Sequence, residues 1–123
     1  MCFNLWPPAI IIERPVKVAG AKGFVVFIQP DAPETRIEHE LWHVRQNWAF
    51  LFIGSVLLNA TKWGQFRLET AAYGRELNFV KGDFMKAARA YADFLAGPNY
   101  RHGRTADQCL KQILYKHNFG GLI

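Results

Sequence analysis

The stretch His39-Glu40-Leu41-Trp42-His43 constrains this chain more than any other. On a helix, residues four apart lie one above the other, so the two imidazoles share a face. Two imidazoles so placed can hold a zinc ion, with the intervening glutamate beside a water at that ion. Hydrolytic zinc takes three protein ligands and keeps its fourth position open. His39 and His43 supply two of the three. Glu40 is the natural general base, because it follows the first ligand and reaches the water without binding the metal.

The third ligand must come from elsewhere. A metzincin pattern requires Gly and His at positions 46 and 49, where this chain has Gln46 and Ala49. That arrangement is excluded. Among the downstream acids Glu69 fits best: it lies 26 residues after His43, near the start of a second predicted helix. The chain between them is long enough to turn and bring it back. Glu76, seven residues further, shares roughly the same helical face and either supports a ligand or is solvated. Asp83 reads as a helix cap. Tyr73 is expected as a hydroxyl donor to the transition state, with a packed core tyrosine as its plain alternative. Tyr100 and His102 lie in a loop that could fold over the metal. Arg45 and Gln46 either orient ligands or sit at the surface. His117 suits the C-terminal end of a helix.

The rest of the chain must place that motif. With 123 residues, half of them apolar and 15% aromatic, residues 1–123 are expected to form one folded domain. Residues 1–8 read as an irregular arm packing through Phe3, Leu5 and Trp6, without the basic start and apolar core of a leader. Residues 9–18 and 24–29 read as strands around a turn at 19–23, with Pro15 at an edge or bulge. The edge strand of such a sheet could bind an extended peptide by β-addition. Thr35 and Glu38 fit a capping box, predicting a helix from about Arg36 through the motif. Residues 48–60 are apolar nearly all round but short of the roughly 20 needed to span a bilayer. They read as a buried core helix, kinked or split at Gly54-Ser55. Trp48 and Trp63 at its edges also resemble an interfacial belt, so a membrane-associated form is a competing reading. Further helices are predicted over 65–80 and 84–96, and from the Thr105–Gln108 capping box to about His117. The fold class is therefore α+β: a small N-terminal β-hairpin or sheet, then four to five helices. Zinc is expected between the motif helix and the Glu69 helix.

The pair His39-Glu40-Leu41-Trp42-His43-Val44-Arg45-Gln46 and Arg67-Leu68-Glu69-Thr70-Ala71-Ala72-Tyr73 resembles the small gluzincin-type zinc metallopeptidase domains common in bacterial and phage genomes. In those, an H-E-x-x-H-x-x-Q helix is followed by an apolar helical segment and then by a Glu ahead of an Ala-Tyr pair. The resemblance covers roughly residues 24–76. It implies a minimal zincin-like fold, one zinc ion held by His39, His43 and Glu69, Glu40 as base, and a peptide or protein substrate. Ala71 stands where many relatives carry a second acid. A second expectation is a non-catalytic, zinc-stabilised module of a larger assembly such as a phage particle. Its contact surfaces would be the 1–8 arm and the apolar 50–58 segment.

Charge and cysteine usage narrow the setting. The 15 basic and 10 acidic residues give +5, but no run of four cations and no nucleic-acid motif is present. A solvated basic surface is expected rather than a nucleic-acid interface. Cys2 and Cys109 stand far apart in sequence and build no disulfide framework, which points to a reducing, cytoplasmic compartment. Cys109 is expected as a small buried residue.

Overall fold

The computed structural model describes residues 9–15, 20–22, 24–50, 53–100, 102–120 and 123, the side chains of Ile53 and Ser55 excepted. The expected 1–8 arm and the second half of the first expected strand fall largely outside them. Three strands, β1 (Ile10–Glu13), β2 (Gly20–Lys22) and β3 (Val25–Ile28), precede five helices. These are α1 (Glu34–Ala49), α2 (Ile53–Ala60), α3 (Lys62–Leu77), α4 (Phe84–Leu95) and α5 (Ala106–Phe119). The expected α+β, mostly helical class holds.

The sheet corrects the expected strand layout. Its order is β1-β3-β2, with β1 parallel to β3 and β2 antiparallel to it. The hairpin is thus β2–β3, and β2 lies within the segment read as a turn. Gly20-Ala21-Lys22 has little strand propensity of its own and becomes a strand through pairing, Ala21 opposite Val26. Pro15 lies two residues past the end of β1, beyond the Arg14 amide that donates to the Ile28 carbonyl, and so removes no ladder hydrogen bond.

Helix α1 carries two stripes. Ile37, Leu41 and Val44, spaced i, i+4, i+7, pack with Val26 and Ile28 of β3 into one apolar cluster. His39, His43 and Gln46 repeat the same spacing about half a turn round the helix, away from the sheet. A second cluster joins Phe66, Tyr73 and Leu77 of α3 to Ala88, Ala92 and Leu95 of α4 and Cys109 and Ile113 of α5. The site faces α3 because the sheet already occupies the other side of α1.

Two further expectations are corrected. Helix α1 starts at Glu34 after Pro33 and has no side-chain cap; the Pro33 carbonyl accepts from the Arg36 and Ile37 amides. Glu38 is buried and sits 3.9 Å from Arg75, so it is turned away from any capping role. The 48–60 segment is not a buried core helix: α1 ends at Ala49, α2 begins at Ile53, and Val56 and Leu57 are exposed. The break therefore falls before Gly54-Ser55. A short helix lying against α1 and α3 can bury only the side that touches them. No described helix is long and apolar enough to cross a membrane.

Other boundaries follow local chemistry. Thr61 caps α3 by accepting from the Gly64 amide, and the helix starts at Lys62, three residues before the expected start. Asp83 caps α4, and Thr105 with Gln108 forms the capping box of α5. Cys109 is fully buried and His117 sits in the last turn of α5.

Helices α3 and α5 cross closely at Gly74, where an added Cβ would lie 2.8 Å from Lys116 Cβ and 2.9 Å from the His117 amide. Gly74→Ala should push the helices apart and cost about 1–3 kcal/mol of stability, read as a lower urea midpoint at unchanged slope.

Candidate metal centre

The α1 stripe and the second turn of α3 bring three side chains to one point. His39 Nε2 lies 3.4 Å from Glu69 Oε2, and His43 Nε2 lies 3.2 Å from Glu69 Oε1. The two Nε2 atoms are 3.2 Å apart. His39, His43 and Glu69 are the one group of three or more such side chains among the described residues with donor atoms this close.

The outer partners decide which ring nitrogens carry protons. His43 Nδ1 lies 2.8 Å from the Gln46 side-chain oxygen, an acceptor. The Gln46 amide nitrogen donates to the Leu68 carbonyl at 3.0 Å, which fixes the orientation of that side chain. His39 Nδ1 lies 2.9 Å from Glu76 Oε1. His43 Nδ1 therefore donates, so in the neutral ring its Nε2 presents a lone pair to Glu69, whereas His39 Nδ1 faces Glu76 at ion-pair distance without hydrogen-bond geometry. Three donor atoms face one centre, where a metal cation or shared protons can sit among them.

The spacing suits zinc. A tetrahedron whose corners lie about 2.0–2.1 Å from its centre has edges of about 3.3 Å. The separations of 3.2, 3.2 and 3.4 Å are close to that edge. Two imidazoles and a carboxylate also match zinc in donor type. The His39 side chain is 2% exposed, whereas His43 and Glu69 are 16% and 15% exposed. One edge of the triad therefore meets solvent, which leaves room for a further ligand.

In the metal-free chain, protons take the place of the cation. Burial works to lower the His43 pKa, but the Glu69 carboxylate 3.2 Å away, with Glu40 and Gln46, pushes it up to about 9. The His39 pKa also rises against burial, through Glu69 and Glu76. Burial would raise that of Glu69, yet the two imidazoles hold it well below the usual carboxylate range.

Glu40 is buried beside the triad, and its charge acts on both histidines and on Arg36. Tyr73 is fully buried, its ring 4.3 Å from that of His39. Its hydroxyl lies 3.3 Å from that of Tyr100, which in turn donates to Glu69 Oε2 at 3.4 Å. Tyr100 is thus the hydroxyl that reaches the ligand. Burial and then the Glu69 carboxylate raise both tyrosine pKa values, that of Tyr73 to about 12, so both keep their protons. His102 is turned away: its Nε2 donates to the Leu95 carbonyl and its Nδ1 accepts from the Arg104 amide. Arg45 lies over Trp42, on a different side of α1 from the triad.

Sequence reasoning missed Arg36 and Tyr91. Arg36 stands 3.9 Å from Glu76, and burial together with the Glu76 carboxylate raises the Tyr91 pKa, so both groups bear on the carboxylate behind His39. Arg36 was findable as the residue one turn before His39 on the same face. Tyr91 comes from α4 and left no local signal.

Compared with family models, with curated proteins and with solved structures, the chain matches none.

The raised His43 pKa contributes stability that is complete below its ordinary value of 6.5 and is lost as pH rises towards about 9. Metal-free protein should therefore lose stability over that window, while zinc, which needs neutral imidazoles, should bind more tightly. Thermal melts of chelator-treated and zinc-loaded protein should diverge progressively from pH 6.5 to about 9.

Proposed function

We propose that the chain is a zinc-dependent metallopeptidase that hydrolyses peptide bonds, with His39, His43 and Glu69 as metal ligands and Glu40 as general base. The observation that carries this reading is the convergence of His39 Nε2, His43 Nε2 and the Glu69 carboxylate within 3.2–3.4 Å, with the other nitrogen of His43 committed to Gln46. When bound, zinc would lower the pKa of a water and polarise the scissile carbonyl.

The chain's own groups do the remaining work. Glu40 takes the proton of the attacking water and returns it to the leaving amine. Gln46 holds the His43 imidazole in the tautomer that points Nε2 inward, and the Glu76 carboxylate stands 2.9 Å behind His39 Nδ1. Tyr100 keeps its proton beside Glu69 and donates to the oxygen that gains charge, with the Tyr73 hydroxyl holding it in place. The solvent-facing edge formed by His43 and Glu69 admits the substrate. A buried Cys109 and the lack of a disulfide framework favour a reducing, cytoplasmic setting. The exposed apolar side chains of α2 favour, as a second reading, a zinc-stabilised module that docks on a partner in a larger assembly.

Metal analysis and cleavage of casein or a peptide library separate these readings. Wild type should carry about one zinc per chain. Glu69→Ala should lose it. Glu40→Gln should keep the zinc and lose cleavage by about 100-fold or more. Zinc without cleavage by wild type would favour the docking module, and a wild type without zinc would refute both.

A further inference from the structure

Between Glu40 and Glu69 the sequence contains no aspartate or glutamate, and its formal charges are Arg45, Lys62 and Arg67. The same span carries Trp42, Trp48 and Trp63. In the fold it forms most of α1, all of α2 and the first turns of α3. Val56 is 69% exposed, Leu57 65% and Trp63 54%. Gly64 has no room for a Cβ, which would lie 1.9 Å from the Leu58 carbonyl oxygen, so α2 folds tightly against the first turn of α3. Lys62 and Trp63 therefore border the apolar side of α2. At the other margin the Phe24 ring lies 6.4 Å from that of Trp48, and Phe24 follows closely on the exposed Lys22 at the end of β2.

This surface has an apolar centre, tryptophan at its margins and cations from a stretch of sequence that carries no acid. Exposed Val and Leu side chains beside each other are unfavourable in water. Tryptophan prefers the headgroup level of a bilayer, and lysine beside it meets lipid phosphate. A second copy of the same face would instead set cation against cation. We propose that this end of the molecule docks on an anionic lipid surface. Val56, Leu57 and Trp63 enter the headgroup boundary, and Lys62 and Lys22 meet the phosphates.

Helix α2 then lies in the interface plane, since no described helix is long and apolar enough to cross. His43 precedes Trp48 on α1 by about 7.5 Å of helix rise, and Glu69 follows Trp63 on α3 by about 9 Å. The histidine–glutamate centre is therefore carried close to the lipid. The docking itself does not depend on any metal there.

Co-sedimentation with vesicles of phosphatidylcholine alone, or with about a third phosphatidylglycerol, tests this. Binding should require the anionic lipid and fall at least about tenfold between roughly 0.05 and 0.5 M salt. The double variant Val56→Ser/Leu57→Ser should bind at least about tenfold more weakly while melting as wild type does. Lys62→Glu, a charge change at an exposed site, should weaken binding similarly. Failure of wild type to sediment with anionic vesicles overturns the proposal. So does equal sedimentation of the double variant. A dimer that the double variant abolishes would assign the face to a second copy. A marked fall in its melting temperature would show the face to be covered within the chain.

Discussion

Everything in this structure turns on three donor atoms that face one another. Two imidazole nitrogens and a carboxylate, held within 3.2–3.4 Å, repel unless a metal cation or shared protons sit among them. The fold does not relax this conflict. Gln46 commits the outer nitrogen of His43, the Leu68 carbonyl fixes Gln46, and Glu76, with Arg36 3.9 Å away, stands 2.9 Å behind His39 Nδ1. Metal-free, the site draws in protons, which is why both histidine pKa values rise while that of Glu69 falls. A divalent cation bound there would displace those protons, so its affinity should rise with pH.

The architecture follows from loading a single helix on both sides. The Ile37, Leu41, Val44 stripe of α1 fixes it to the sheet, and the His39, His43, Gln46 stripe is thereby presented to α3. Helix α3 is fixed in turn by α4 and α5 through Tyr73, Leu77 and their neighbours, with Gly74 permitting close approach. Glu69 and Glu76 occupy the face of α3 opposite the histidines because that packing sets its rotation. In so small a molecule the layers run out at α2. Its outward side keeps Val56 and Leu57 in solvent, within a stretch of sequence that carries cations and no acid.

How much of this was legible in the sequence depends on how local each determinant is. His39, Glu40 and His43 are set by one helical turn, so the motif disclosed them, and the same spacing rule suggested Gln46 and Glu76. Glu69 was the best acid at a distance, and packing of α3 against α1 brought it into place. Tyr100 and His102 looked equivalent, since a loop residue's direction is decided by its tertiary partners: Tyr100 meets Glu69, whereas His102 is claimed by Leu95 and Arg104. The turn that became β2 failed as a prediction because pairing with β3, not propensity, makes it a strand. The apolar 48–60 segment misled because composition reports what a helix would prefer to bury and not whether a covering layer exists. Arg36 and Tyr91 act through Glu76 and had no motif of their own.

The most direct measurement is anomalous diffraction at the zinc edge from crystals grown with one equivalent of zinc. The account predicts a single strong peak about 2.0–2.2 Å from His39 Nε2, His43 Nε2 and a Glu69 oxygen, with solvent on the open side. A peak at an Nδ1 atom, or none between α1 and α3, would contradict it.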